Sequence, residues 1–170
     1  MKNKNLIYAL LFCIAFQSCC APFGDCNDDF EGPSSNYEAV YMDRALFEES
    51  VALKSSLAIG ISGKIYVKGD LLFVNELYKG FHVYDNSDPA NPKAIKFLEA
   101  PGSTDMAIRD NMIYINQATD LIAVSYGSDI NKVMLTKRIP NTFPSLRSPD
   151  GFDAYDIPEN SVLIDWKLKN

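Results

Sequence analysis

From about position 57 onward, hydrophobic positions fall into short runs of β-branched and aromatic residues separated by turn-forming residues, the pattern of a strand-rich chain. Lys64–Lys68 and Leu71–Glu76 read as two strands joined by Gly69-Asp70, a two-residue hairpin turn whose glycine supplies a positive φ. Phe81–Asp85 and Ala94–Glu99 follow as a third and a fourth strand, with turn formers throughout Asn86 to Pro92 between them. Strands are expected again near Thr104–Arg109, Met112–Asn116, Leu121–Tyr126 and Val133–Ile139. From Pro140 to Asn160 the pattern breaks into a loop, and a last strand, Ser161–Leu168, carries the only tryptophan, Trp166. Ahead of the strands, Asp43 is placed to cap a short helix over Arg44–Val51, with Leu46, Phe47 and Val51 roughly on one side.

The two sets of strands repeat in sequence as well as in order. Lys68-Gly69-Asp70-Leu71-Leu72-Phe73-Val74-Asn75 reads again, 41 positions later, as Arg109-Asp110-Asn111-Met112-Ile113-Tyr114-Ile115-Asn116. With no gap, Phe81 falls on Ile122, Val83 on Val124, Ser87 on Ser128, Asp88 on Asp129 and Lys96 on Lys137. A strand-rich period of roughly 40 residues is typical of a four-stranded propeller blade. Leu71–Val74 and Met112–Ile115 are apolar on both strand faces, which suits sheets stacked face to face. The expected fold is therefore all-β: an incomplete or open β-propeller behind a short N-terminal helix, with repeats at about 63–102 and 103–143 and a partial third unit over 144–170. Two copies and a remnant leave a ring open, so exposed apolar faces are expected, with either self-association or poor stability of the isolated domain as the result.

The N-terminus changes the picture from a fold to an address. Lys2 and Lys4 precede an apolar run of 11 residues, Leu6–Phe16, too short to span a bilayer and suited to a cleaved leader. Phe16-Gln17-Ser18-Cys19 resembles the lipobox of Gram-negative bacterial lipoproteins, with Phe16 in the place usually held by Leu. The resemblance implies a signal peptide over 1–18, acylation (palmitate included) of Cys19, and a protein anchored by lipid to the outer membrane, on its periplasmic or surface face. Cys20 and Cys26 are then left, and an oxidising envelope compartment allows a disulfide between them across a small loop, a metal pair being the less favoured alternative. Residues 19–36 are rich in Pro, Gly, Ser, Asn and Asp, as a flexible linker is; Asp25, Asp28, Asp29 and Glu31 make it acidic and leave a sorting signal open as its role. Loss of Lys2 and Lys4 with the leader moves the net charge from −6 to −8. Without a basic cluster this disfavours nucleic acid as a partner, and membrane contact is expected through lipid alone.

Chemistry is sparse. His82 is the only histidine and lies inside an alternating strand, so a structural role is expected; the catalytic alternative is an envelope hydrolase with His82 beside a Ser or Asp. No Gly-x-Ser-x-Gly elbow, glycine-rich phosphate loop or Cys-x-x-Cys pair occurs. Asp85-Asn86-Ser87-Asp88 lacks the central Gly and distal Glu of a calcium loop, and Asx turns are expected there. Asp150, Asp153 and Asp156 read as a solvated acidic face, and no metal or cofactor is expected. Phe143, Phe152, Tyr155 and Trp166 remain as the candidate binding surface, alternatively a plug for the open end of the stack.

Gly63-Lys-Ile-Tyr-Val-Lys-Gly-Asp-Leu-Leu-Phe-Val-Asn-Glu76, Gly80-Phe-His-Val-Tyr-Asp-Asn-Ser-Asp-Pro-Ala-Asn-Pro-Lys93 and Pro101-Gly-Ser-Thr-Asp-Met-Ala107 resemble the LVIVD-repeat proteins. The resemblance spans about Tyr37 to Trp166. It implies a secreted or lipid-anchored bacterial protein with propeller-like β repeats and no established catalytic residues. Members often run further, so a short member, or a truncated product with no separate function, stands beside the leading expectation. That expectation is a non-catalytic binding module for an envelope protein or glycan.

Overall fold

Alternating β-branched and aromatic side chains give eleven strands and one short helix in the computed structural model, which describes residues 34–127 and 130–170. The segment expected to be a leader, Cys19, Cys20, Cys26, nearly all of the expected acidic linker, Ser128 and Asp129 lie outside the described residues. In chain order the elements are β1 (Tyr37–Asp43), α1 (Arg44–Glu49), β2 (Ala52–Ser55), β3 (Ser62–Lys68), β4 (Leu71–Glu76), β5 (Gly80–Asp85) and β6 (Lys93–Glu99). They continue with β7 (Ser103–Arg109), β8 (Met112–Gln117), β9 (Asp120–Tyr126), β10 (Val133–Ile139) and β11 (Ser161–Leu168). All sheets are antiparallel and none is closed.

The first repeat forms the meander β3-β4-β5-β6, which β2 extends to five strands by pairing with β6; the second forms the four-stranded meander β7-β8-β9-β10. β1 and β11 make a separate two-stranded ribbon. Neither β1 nor β2 is expected from local pattern, because each finds its partner far along the chain: Ala39 lies opposite Trp166, and Leu53 opposite Leu98. Asp43 caps α1 as expected, its carboxylate accepting from the Ala45 and Leu46 amides. The helix stops at Glu49 rather than Val51, where Ser50 turns back to the Phe47 carbonyl.

The two meanders pack face to face. Phe73, Phe81, Val83 and Leu98 from the first meet Met106, Ile113, Ile115, Ile122 and Val124 from the second in one buried cluster. A smaller cluster of Phe47, Ala118 and Val162, with Met42 and Ile164 against it, joins the helix and the ribbon to the β8–β9 turn.

The repeat is structural down to its irregularities, with one correction. Gly69 and Asp110 open equivalent hairpin turns at φ +56° and +53°. Both first strands carry a bulge at the equivalent serines, Ser62 and Ser103. Both last strands carry an extra residue, Ile95 and Thr136, again 41 apart. The ungapped alignment fails in the third strand. Phe73 pairs with Val83 but Tyr114 pairs with Ala123, so Phe81 corresponds to Leu121 and His82 to Ile122. The cause is the turn length: residues 77–79 separate β4 from β5, whereas Ala118 and Thr119 alone separate β8 from β9. One residue fewer would invert the facing of β9, so the register moves by one to keep Ile122 and Val124 inward.

Candidate functional site

A buried polar arrangement lies at one end of the first sheet, on the face turned away from the second. Strand alternation puts Val74 and Glu76 of β4 on this face with His82 opposite Val74 and Phe97 opposite His82. The Glu76 carboxylate is buried and accepts three hydrogen bonds: from Lys79 Nζ at 2.7 Å, from His82 Nε2 at 2.6 Å and from the Gly60 amide at 3.3 Å. Burial pushes its pKa up, but these donors outweigh it and hold the carboxyl at about 2. With Glu76 ionised, His82 Nε2 carries the shared proton. The ring is fully buried 4.8 Å from that of Phe97, and its Nδ1 has no hydrogen-bond partner.

Above Glu76 and Phe97 runs a cleft of about 490 Å³, its opposite wall formed by Val40, Met42 and Ile164 of the ribbon. Lys79 and Glu99 add charge to its rim, and Glu99 is paired with Lys54. His82 lies beneath this cleft rather than in its wall. The arrangement can anchor a loop and fix a ring orientation. Proton transfer to a substrate would require a partner for Nδ1, and His82's other ring nitrogen is already committed.

The equivalent end of the second sheet holds a second network. Asp120 stands where the first repeat has Gly80, and is buried with Arg44 Nη1 and Nη2 at 3.1 and 2.7 Å and Arg138 Nη1 at 2.9 Å. Burial raises its pKa while the Arg44 and Arg138 hydrogen bonds and the Asn141 amide lower it, with a net downward shift. Arg138 also donates to Gln117, which donates to Ser50, and both guanidiniums lie over the Phe47 ring at 5.6 and 5.0 Å. This network fastens α1 to β8, β9 and β10.

The residues singled out from sequence are dispersed. Tyr155 is 79 % exposed, whereas Trp166 is buried, with its indole N–H donating to the Leu146 carbonyl. Phe152 is half-buried, its backbone held by Ser148 on both sides. Phe143 is half-buried beside Tyr114, on the outer face of the second sheet. Asp85 and Asp88 form the expected Asx turns through the Ser87 and Ala90 amides. Asp150 ties down Ser35, Asn36 and Ser148, and Asp153 pairs with Arg147. Among the described residues no group of three or more His, Cys, Asp or Glu is placed to hold a metal ion. Glu76 and Asp120 escape sequence reading. The available signal was a lone acid at the apolar end of a strand, two residues from the position facing the only histidine. Comparison with protein-family models, curated proteins and solved structures finds no match for this chain.

Proposed function

We propose that this chain is a lipid-anchored protein of the bacterial cell envelope whose two meanders are propeller-like blades, and that it acts as a non-catalytic interaction module for an envelope protein or glycan. The observation that carries this reading is the combination of a well-buried core with large apolar side chains exposed on strands and loops, Tyr155 and Ile65 among them. The repeat of turn and bulges supports the blade reading, and the lipobox-like Phe16-Gln17-Ser18-Cys19 supports the anchor. His82 supports interaction over hydrolysis, because it is sealed under Phe97 and spent on Glu76.

Two experiments test it. In a Gram-negative host, Cys19→Ala is expected to abolish palmitate labelling and release the protein from membranes; continued labelling removes the anchor assignment. On a glycan array and against cross-linked envelope proteins, Tyr155→Ala is expected to weaken capture while leaving the fold intact. Unchanged capture by Tyr155→Ala moves the surface elsewhere. Trp166→Ala is unsuitable for this purpose, because its burial makes it a stability variant.

A further inference from the structure

The two outer sheet faces of the molecule are repeat equivalents of the two faces that meet inside it. On the second sheet's inner face, Met106 is buried and Ile108 packs against the core; their counterparts in the first sheet, Ile65 and Val67, are 64 % and 63 % exposed. Conversely Phe73 and Leu98 are fully buried on the first sheet's inner face, while their counterparts in the second sheet, Tyr114 and Ile139, are 36 % and 47 % exposed. Each outer face has kept the apolar residues of an inner one.

The edges repeat the relation. Inside the molecule, Lys64 and Tyr66 of β3 both reach Asp105 of β7, and Lys64 and Asp105 occupy equivalent positions. A further unit placed on the outer face of the second sheet, in the same geometry, brings its own Lys64 to Asp105, so the charges match again. Tyr66 is replaced by Ala107 in the second repeat, which leaves a hollow of about 320 Å³ lined by Ala107, Tyr114, Asn116, Leu121 and Phe143. The Asn116 Oδ1 in this hollow is buried without a hydrogen-bond partner.

We infer that the outer face of the second sheet, with Tyr114 and Ile139, is the docking surface for the Ile65–Val67 face of a second copy of this chain, joined head to tail in continuation of the internal sheet–sheet interface. The contact is heterologous: each copy offers one donor face and one acceptor face, so assembly proceeds to a closed ring or a chain of copies. The ribbon and the residues around Gly60 bury the Glu76 end of the first sheet's outer face, and the Ile65–Val67 end remains for the neighbour. This inference rests on the repeat equivalence alone and holds whether or not Cys19 is acylated.

The test is sedimentation velocity on the purified full chain, in detergent if it is acylated, over a range reaching well into micromolar concentrations. Val67→Glu spoils one face and Tyr114→Glu the other. Wild type is expected to associate with rising concentration, and each variant alone to remain monomeric. An equimolar mixture of the two variants, which retains one intact pair of faces, is expected to form a dimer and nothing larger. Circular dichroism verifies the folds, with Ile65→Glu and Ile139→Glu as substitutes on the same faces. A wild type that stays monomeric, a single variant that keeps the wild-type distribution, or a mixture that stays monomeric overturns the inference. Loss of palmitate labelling or of glycan capture leaves it untouched, so the two readings fail separately.

Discussion

Glu76 stays ionised although buried, because Lys79, His82 and the Gly60 amide together outweigh the cost of desolvation. Its folded pKa of about 2 lies below the ordinary 4.5. A depressed carboxyl contributes stability that is fully present above the unfolded value and is lost as pH falls through the folded one. The contribution, on the order of 3 kcal/mol, should therefore disappear between pH 4.5 and about 2. Urea unfolding across that range, with Glu76→Gln as reference, checks it: the stability gap between wild type and variant should close as pH falls. Asp120 makes a sharper case at neutral pH. Asp120→Ala leaves Arg138 and Arg44 without their shared carboxylate in a largely dry site, and loss of one member of such a network costs about 3–5 kcal/mol. Chemical denaturation of Asp120→Ala measures it, and a loss below about 1 kcal/mol would show the network to be ornamental to stability.

At the scale of elements, glycines that look alike in sequence do different work. Gly69 sits at φ +56° in an open hairpin turn, with nothing within 4 Å of an added Cβ. Its counterpart Asp110 takes the same conformation at φ +53°. Gly69→Asp should therefore be tolerated, costing no more than about 1 kcal/mol. Gly80 starts β5 at φ +150°, where a Cβ would sit 2.2 Å from the Leu98 carbonyl oxygen of β6. Gly80→Ala has to move backbone in a buried sheet and should cost at least about 2 kcal/mol. Thermal unfolding of the pair separates them; equal costs would contradict the close approach of β5 and β6. In the second repeat the slot of Gly80 is filled by Asp120, so one position serves close packing in one copy and an ion network in the other.

For the whole molecule, the ribbon is the element that ties the first described strand to the last one. β1 and β11 pair from Tyr37 with Leu168 to Asp43 with Ser161, so an early segment cannot settle until the last strand is in place. Such long-range pairing is slow to form but binds the unit into one cooperative whole. Trp166, the only tryptophan, reports on the ribbon, while the far-ultraviolet signal reports mainly on the two meanders. The two transitions are expected to coincide in guanidinium chloride. A tryptophan transition at lower denaturant would mean that the ribbon releases first and that the meanders stand without it.

The strands of both meanders were legible because they depend on local information: alternation, turn residues and a repeat that carries its hairpin glycine or aspartate in the same place. The Asp43 cap and the all-β class follow from the same short-range rules. The fate of the candidate surface residues was not legible in that way. Phe143, Phe152, Tyr155 and Trp166 look equivalent as aromatics among loop residues, yet burial separates Trp166 from Tyr155 completely, and burial is decided by what the rest of the chain brings near. The same holds for β1, whose partner lies at the other end of the sequence, and for Asp120, whose arginines come from α1 and β10. Sequence by itself determined the repeat, its strands and its turns, since these are settled among neighbours a few residues apart. Only the tertiary structure decided the one-residue shift in β9, the pairing of β1 with β11 and the burial of Glu76 with His82. Each depends on which face of a strand must leave water, and that choice is made only when distant strands meet.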